Sequence, residues 1–230
     1  MYVVRVGLVA RATAAATALA GALDLRVDDA VVIQNSNALT LRLLPCDVFA
    51  RTAPLGQEVA AFEVRLARGL AAAAGPVAAL DPRVEPRVYE VDGFAITFWT
   101  YYEATPDPAE PAEYAAALQR LHAAMRNVQI EAPHVMERVA AAERVATNRS
   151  ESPALDDRDR DLLLRTLHGA GEAVQRPGAT DQLLHGEPHP GNLLSTPAGI
   201  VLVDFETCCV GPVEFDVAHA PVEVGAHYPG

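Results

Sequence analysis

Short apolar runs broken by turn residues dominate residues 30–52 of the chain. Residues 30–34, 39–44 and 47–52 are rich in Val, Leu and Thr, and Asn35-Ser36-Asn37 and Pro45-Cys46 separate them. Runs of this length and composition, bounded by Asn, Ser and Pro, are typical of strands joined by tight turns. We therefore predict a three-stranded meander in this segment.

A second pair of strands is predicted at residues 87–99. The runs 87–91 and 94–99 are mostly apolar, and Asp92-Gly93 lies between them. This dipeptide favours the tight turn of a β-hairpin, because both of its residues tolerate a positive φ. The hairpin completes a predicted sheet of five strands.

Helical spacing of apolar residues marks much of the remaining chain. Val59, Phe62, Leu66 and Leu70 fall on one face of a helix, and this period is the main signal for an amphipathic helix. Helices are predicted for residues 10–23, 57–73, 111–126, 133–147 and 156–175.

A proline-rich connector separates the two parts of the chain. Residues 99–103 are followed by Pro106, Pro108 and Pro111, which interrupt regular structure. We place the domain boundary here, with an N-terminal lobe at residues 1–103 that includes an N-terminal helix. A mainly helical C-terminal lobe follows at residues 104–230.

Residues 185–192 form a polar segment in which a helix is excluded. Its glycines and prolines, at positions 186, 188, 190 and 191, break helical hydrogen bonding or favour turns. Glu187, His189 and Asn192 therefore lie on a bent, ordered loop.

An apolar hairpin is predicted directly after this loop. A strand begins at Leu193, a turn spans residues 196–199, and a second strand at residues 200–203 ends at Asp204. Such a hairpin brings Asn192 and Asp204 to the same end, where their oxygens suit Mg²⁺. Glu187 is close enough to accept a proton from a bound hydroxyl. These groups together indicate phosphoryl transfer.

Two alternatives remain open for the loop. His185 and His189 have the spacing of a zinc-protease helix, but that chemistry needs both on one helical face. A purely structural loop is the second alternative.

Three motifs in sequence order resemble those of the aminoglycoside phosphotransferase family, small-molecule kinases related to protein kinases. The chain carries His185-Gly186-Glu187-Pro188-His189-Pro190-Gly191-Asn192, then Val203-Asp204-Phe205, then Gly211-Pro212-Val213-Glu214-Phe215-Asp216-Val217-Ala218. Motifs linked in the right order are stronger evidence than any one alone. The chief departure is Glu187, where the family usually has Asp.

The resemblance implies an α+β, bilobal protein-kinase-like fold with a small antiparallel-sheet N-lobe and a mainly helical C-lobe. It implies ATP-dependent phosphorylation of a hydroxyl on a small molecule, with ATP and Mg²⁺ as cofactors. Glu187 would be the catalytic residue, and Asn192 and Asp204 would bind the metal. Asp216 would brace the catalytic loop. Apart from the resemblance, we expect His122 to be a buried structural histidine and not a ligand.

The resemblance also implies a nucleotide site in the N-lobe. Arg51, at the end of the third strand, would bind phosphate and pair with a glutamate of the following helix. We prefer Glu58 as that partner and place Glu63 second.

Two further segments are expected to touch the nucleotide. Ser36 and Asn37 occupy the place of the nucleotide-covering loop, where small polar residues can turn towards phosphate. Thr100 and Tyr101 lie in the connector that faces the adenine ring in the family.

Composition narrows the partners and the compartment. The formal net charge of −12 opposes binding to nucleic acid and is compatible with a cationic small substrate. Cys46, Cys208 and Cys209 are too few for a disulfide framework, which favours a reducing, cytoplasmic location. Arg11 interrupts the apolar N-terminal run, and the sequence has no stretch of about 18 uncharged apolar residues. We therefore expect no membrane partner.

The alternative function is a kinase-like protein with weak or no catalysis that binds nucleotide in a regulatory role. It is motivated by the longer Glu187 and by the early end at Gly230. Family members usually continue with several helices after the third motif. We therefore expect a truncated C-lobe whose exposed apolar surface invites self-association.

Overall fold

The structure, a computed structural model, describes residues 6–56, 58–174 and 180–229. It divides into two compact units, the first from Met1–Pro108 with Leu194–Glu206 and the second from Ala109–Leu193 with Thr207–Gly230. Residues 194–206 thus belong to the first unit although they follow the connector in sequence. The domain boundary between residues 103 and 104 stays a prediction.

Nine strands and seven α-helices occur in the described residues. The strands are β1 (Val27–Asn35), β2 (Leu39–Pro45), β3 (Val48–Pro54), β4 (Tyr89–Val91), β5 (Phe94–Thr100), β6 (Gln182–Leu184), β7 (Leu193–Thr196), β8 (Gly199–Leu202) and β9 (Cys209–Gly211). The helices are α1 (Val6–Ala22), α2 (Val59–Ala72), α3 (Pro111–Met125), α4 (Val135–Thr147), α5 (Asp157–Val174), α6 (Val213–Val217) and α7 (Val222–Gly225).

A five-stranded antiparallel sheet in the order β1-β2-β3-β5-β4 forms the first unit's centre. The predicted meander and hairpin are both confirmed. Asp92 and Gly93 turn the hairpin with φ values of 52° and 85°, as its tight turn requires. Strand β3 is central, so Arg51 lies opposite Thr40 of β2 and Thr97 of β5.

Helix α1 packs small side chains on this sheet. Ala12, Ala16 and Ala20 are buried in one cluster with Leu41 and Leu43 of β2. Their spacing of four residues keeps them on one face of the helix. The predicted N-terminal helix is therefore an integral part of the first core.

Helix α2 begins at Val59, with Glu58 at its N-cap; the predicted start at Gln57 lies outside the described residues. Leu66 and Leu70 are buried as the periodicity predicts, whereas Val59 and Phe62 are only half-buried. The buried face also includes a charged residue, Glu63.

The hairpin of β7 and β8 joins the first unit through backbone hydrogen bonds. Leu202 N donates to Pro76 O at 2.8 Å, and Ala78 N donates to Leu202 O at 3.1 Å. Thr105 N also donates to Ser195 O at 2.7 Å. These bonds explain why the end of the hairpin, with Asp204, belongs to the same unit as Arg51.

The second unit is mainly helical. The predicted helices are confirmed as α3, α4 and α5, and residue 175, the predicted end of the last, lies outside the described residues. Strands β6 and β9 pair antiparallel; with three residues each they are too short for a periodic signal. No helix in the described ranges is long and apolar enough to cross a membrane.

Candidate active site

Arg51 is the centre of a charged cluster in the first unit. Its Nη1 lies 2.6 Å from Oε1 of Glu63, and its Nη2 lies 3.5 Å from Oδ1 of Asp204. The side chains of Arg51 and Glu63 are 20% and 7% exposed. Strand β3 and helix α2 each contribute one charge to this cluster, and the segment after β8 contributes two, Asp204 and Glu206.

The pairing corrects one sequence prediction. The prediction that Glu58 is the partner of Arg51 is wrong: the partner is Glu63. Glu58 stands at the N-cap position of α2, makes no side-chain capping hydrogen bond and is exposed. Five residues further on, a helix has turned by about 140° beyond one full turn, so Glu63 lies on the buried face with Leu66 and Leu70.

Burial and mutual repulsion shape the protonation of this cluster. Burial raises the pKa of the Glu63 carboxyl, and the charges of Asp204 and Glu206 add to this against the lowering effect of Arg51. For Arg51, burial lowers the pKa, but the three carboxylates outweigh it and raise the pKa overall. Three carboxylates therefore surround one guanidinium, and the cluster has surplus negative charge.

Asp204 has an unusual side-chain environment and an unusual backbone conformation. Its Oδ1 is buried and, within the described part of the chain, makes no hydrogen bond beyond the ion-pair approach of Arg51. Its backbone has φ 66°, which is uncommon for a residue other than glycine and is concentrated at functional sites. A buried carboxylate oxygen without a hydrogen bond suits a metal ion.

The turn between β1 and β2 carries Ser36 and Asn37, as predicted. Ser36 Oγ accepts a hydrogen bond from Gln34 Nε2 at 3.1 Å. Asn37 Nδ2 donates to Oε1 of Glu206 at 2.6 Å. The structure therefore brings Asn37, but not Glu58, to the residues that surround Arg51.

Thr100 is the last residue of β5, and Tyr101 follows it. Thr100 N donates to Ala79 O at 2.9 Å. The Tyr101 hydroxyl accepts from Arg42 Nη1 at 3.1 Å, and the guanidinium carbon of Arg42 lies 3.8 Å from the Tyr101 ring centre. The Tyr101 side chain is thus used in packing on the sheet.

Glu187 and Asn192 lie together on the loop of the second unit. Glu187 is exposed, and its backbone carbonyl accepts from Asn192 Nδ2 at 3.0 Å and from His189 N at 2.8 Å. A carbonyl can only accept, so the Asn192 amide must turn its nitrogen towards the Glu187 carbonyl. Its Oδ1 then points away from that carbonyl. This bond orients the amide oxygen proposed as a ligand.

The Asp216 carboxylate holds the backbone of this loop by hydrogen bonds, as expected. Its carboxylate accepts from His185 N at 2.9 Å and from Gly186 N at 2.8 Å. His122 Nε2 lies 2.9 Å from the same carboxylate, and both side chains are buried. The prediction that His122 is a buried structural residue is also confirmed.

Gly186 is required where the loop turns. Its φ is 94°, and a Cβ at this position would lie 1.9 Å from the carbonyl oxygen of Thr207. No side chain fits there, because the neighbouring atom belongs to the backbone.

The zinc alternative finds no support in the described ranges, where no group of three or more His, Cys, Asp or Glu is placed to hold a metal. His185 and His189 lie outside any helix, as the prolines and glycines predicted. His189 Nδ1 instead accepts from Gly191 N at 3.0 Å.

A sequence model described as the phosphotransferase enzyme family matches residues 33–227. The chain belongs to this family. No curated protein matches it significantly in sequence.

Solved structures with 14–18% identity share the fold of this phosphotransferase. Aminoglycoside phosphotransferase APH(3'')-Id from Streptomyces rimosus has TM-score 0.63 and 17% identity, with 92% of this chain and 83% of that chain covered. A choline/ethanolamine kinase family protein from Mesorhizobium loti has TM-score 0.62 and 18% identity, covering 87% and 69%. Amicoumacin kinase, in complex with AMP-PNP, Ca²⁺ and its ligand, has TM-score 0.62 and 14% identity, covering 92% and 75%. The predicted α+β, bilobal kinase-like fold is thereby confirmed.

Three residues of this phosphotransferase were missed by sequence reasoning. Glu206 contacts Asn37, the Tyr114 hydroxyl donates to the backbone carbonyl of Pro188, and the Tyr228 hydroxyl lies 2.7 Å from His122 Nδ1. Glu206 follows Asp204 by two positions, so its place beside the motif was a usable signal. The tyrosines had none, because Tyr114 reaches Pro188 across 74 positions of sequence and Tyr228 reaches His122 across 106.

Proposed function

We propose that the protein is an ATP-dependent phosphotransferase that acts on a hydroxyl of a small molecule, aminoglycoside-like or another metabolite. The observation that carries the proposal is the buried Arg51 cluster, in which Asp204 keeps an oxygen without a hydrogen bond. Family membership supports phosphoryl transfer. The amicoumacin kinase of similar fold, solved with AMP-PNP and Ca²⁺, supports a nucleotide and a divalent cation.

The nucleotide is proposed to bind in the first unit. Arg51 would bind phosphate oxygens through its planar guanidinium, which Glu63 holds in place. Ser36 and Asn37 would meet the phosphates from the turn between β1 and β2. Thr100 and Tyr101 would contact the adenine through backbone groups, since the Tyr101 side chain is used by Arg42.

The donor set fits Mg²⁺. Asp204 would supply a buried carboxylate oxygen that is not hydrogen-bonded, and Asn192 would supply an amide oxygen oriented by its bond to Glu187. Hard oxygen ligands of this kind are those that Mg²⁺ prefers. When bound, the ion would neutralise charge on the phosphates and on the surrounding carboxylates.

Glu187 is proposed as the catalytic carboxylate. It would accept the proton of the acceptor hydroxyl while that oxygen forms a bond to the γ-phosphorus and the bond to the ADP oxygen breaks. Its exposed side chain is free to meet an acceptor, and Asp216 keeps the loop backbone fixed through His185 and Gly186.

The acceptor is proposed to be a small, cationic molecule in the cytoplasm. The net charge of −12 favours cations, and the three cysteines are free. The relatives in fold include an aminoglycoside phosphotransferase and a choline/ethanolamine kinase family protein, so amino sugars and amino alcohols are the first acceptors to test.

The test measures nucleotide binding and transfer separately. The protein is titrated with ATP and with GTP, with and without Mg²⁺, and then assayed for nucleoside diphosphate release with aminoglycosides, amino alcohols and neutral sugars. Phosphorus NMR of the product identifies a phosphate ester. Acceptor-dependent release is the expected result. Binding without transfer to any acceptor would favour the regulatory alternative, and a lack of nucleotide binding would overturn both.

A further inference from the structure

Glu206 is the one carboxylate of the Arg51 cluster to which the proposed reaction gives no role. It lies two residues after Asp204, and its Oε1 accepts the 2.6 Å hydrogen bond from Asn37 Nδ2 across 169 positions of sequence. Both residues line the same pocket as Arg51 and Glu63. The side chain therefore links the turn between β1 and β2 to the charged cluster.

Two further hydrogen bonds lie within the turn and the end of β1. Ser36 N donates to Ala38 O at 3.2 Å, and Gln34 Nε2 donates to Ser36 Oγ at 3.1 Å. These bonds set the local shape of the turn, and the pairing of β1 with β2 anchors its two ends. The bond between Asn37 and Glu206 adds a side-chain link from the tip of the turn to the pocket.

The chemistry of the bond also sets the direction of the Asn37 amide. An ionised carboxylate only accepts, so Asn37 must present its nitrogen to Glu206. A charged acceptor makes this bond stronger than one between neutral groups. Ordering the turn before binding reduces the entropy that a ligand must overcome.

We propose that Glu206 is a positioning residue that holds the turn at residues 36–38 beside Arg51, ready for the phosphates of the nucleotide. This inference rests on the proposed nucleotide-dependent function. Glu206 acts through Asn37, so that the turn would meet phosphate in a fixed arrangement.

The first test uses the protein without nucleotide, so it does not depend on the proposed function. Hydrogen exchange of the peptide that contains residues 36–38 is compared in the parent, Glu206→Ala, Glu206→Gln and Asn37→Ala. Glu206→Gln keeps an acceptor oxygen and removes only the charge. Glu90→Ala removes an exposed carboxylate on β4 and is the control for a change of net charge.

Exchange in the turn should be faster in Glu206→Ala and Asn37→Ala, close to the parent in Glu206→Gln and unchanged in Glu90→Ala. Exchange in β2 and β3 should stay constant, which separates loss of positioning from loss of folding. Equal exchange of the turn in all five proteins would overturn the inference.

The second test asks whether the position matters for nucleotide. KM for ATP should rise roughly three- to tenfold in Glu206→Ala, the order expected for a partly exposed charge-assisted bond, with kcat changed much less. Asn37→Ala should add little in the double variant, because both changes remove the same bond. Additive effects would overturn the link through Asn37. If the parent binds no nucleotide, the proposed function fails, and the exchange experiment still decides the role of Glu206 in the turn.

Discussion

Arg51 and Glu63, twelve residues apart in sequence, form a largely buried ion pair with an Nη1–Oε1 distance of 2.6 Å. The pair is unequal in its surroundings, because Arg51 also faces Asp204 and Glu206, whereas burial already disfavours the charge on Glu63. Loss of the cation leaves three carboxylates together, but loss of Glu63 leaves the cation with two partners.

We therefore expect Arg51→Met to lower the free energy of unfolding by about 3–5 kcal/mol, the size typical of an uncompensated buried charge. Glu63→Gln should lower it less. Urea denaturation of both variants beside the parent measures the difference. The reverse ranking would show that Asp204 and Glu206 do not act on Arg51.

Replacement of Glu187 tests the proposed base. Glu187→Gln removes the proton acceptor without changing its size, so turnover should fall by about 10²- to 10⁴-fold while ATP affinity stays near that of the parent. Steady-state kinetics and a nucleotide titration measure the two quantities. Glu187→Asp keeps a carboxylate and should retain more activity than the amide. Unchanged turnover in Glu187→Gln would assign proton transfer to another group.

Asp204→Asn should separate activity from stability. The change removes an anionic oxygen proposed as a metal ligand, so Mg²⁺-dependent turnover should fall. The transition state should lose several kcal/mol of stabilisation, roughly the contribution of metal polarisation. It also removes one charge from a cluster with surplus negative charge, so the free energy of unfolding should not decrease. Kinetics across a Mg²⁺ series and urea denaturation check both outcomes. A variant with undiminished turnover would exclude the assigned role.

Two glycines with positive φ offer a matched pair of substitutions. Gly186→Ala and Gly199→Ala both force an L side chain into φ values of 94° and 116°, which costs about 1–2 kcal/mol. Only at Gly186 would the new Cβ meet a backbone atom, Thr207 O, whereas nothing lies within 4 Å at Gly199. Thermal unfolding should show a clearly larger loss for Gly186→Ala, together with loss of turnover. Equal losses of stability would mean that the loop shifts to make room for the new Cβ at position 186 at little cost in free energy.

Asp81 should make part of the stability depend on acid pH. Burial raises the pKa of its carboxyl, but the hydrogen bonds and charge of Arg83, whose Nη2 lies 2.6 Å away, outweigh burial and lower the pKa below its ordinary value. A lowered folded-state pKa gives stability that is present above the unfolded value of 3.8 and is lost as the pH falls through the folded value. Below about pH 4, the free energy of unfolding should therefore fall less steeply with decreasing pH in Asp81→Asn than in the parent. Glu90→Gln should behave like the parent. Parallel profiles for all three proteins would contradict this assignment.

The sequence alone predicted the strands of the five-stranded sheet, helices α1 to α5 and the bent loop at residues 185–192. Apolar periodicity located α2 and α3, and Asp92-Gly93 located the β4–β5 turn, because these signals depend on neighbours within a few residues. Gly186 and Pro188 excluded a helix for the same local reason. Asp216 was placed correctly because it stands at a fixed distance along an ordered set of motifs.

Only the tertiary structure decided which side chains meet across the chain. The choice between Glu58 and Glu63 depended on which face of α2 packs towards β3, and both residues suit a helix equally well. The bonds from Asn37 to Glu206 and from His122 to Tyr228 span 169 and 106 positions. Hydrogen bonds between exposed or half-buried polar groups leave no periodic trace in a sequence, because their geometry is set by the packing of elements and not by the spacing of residues.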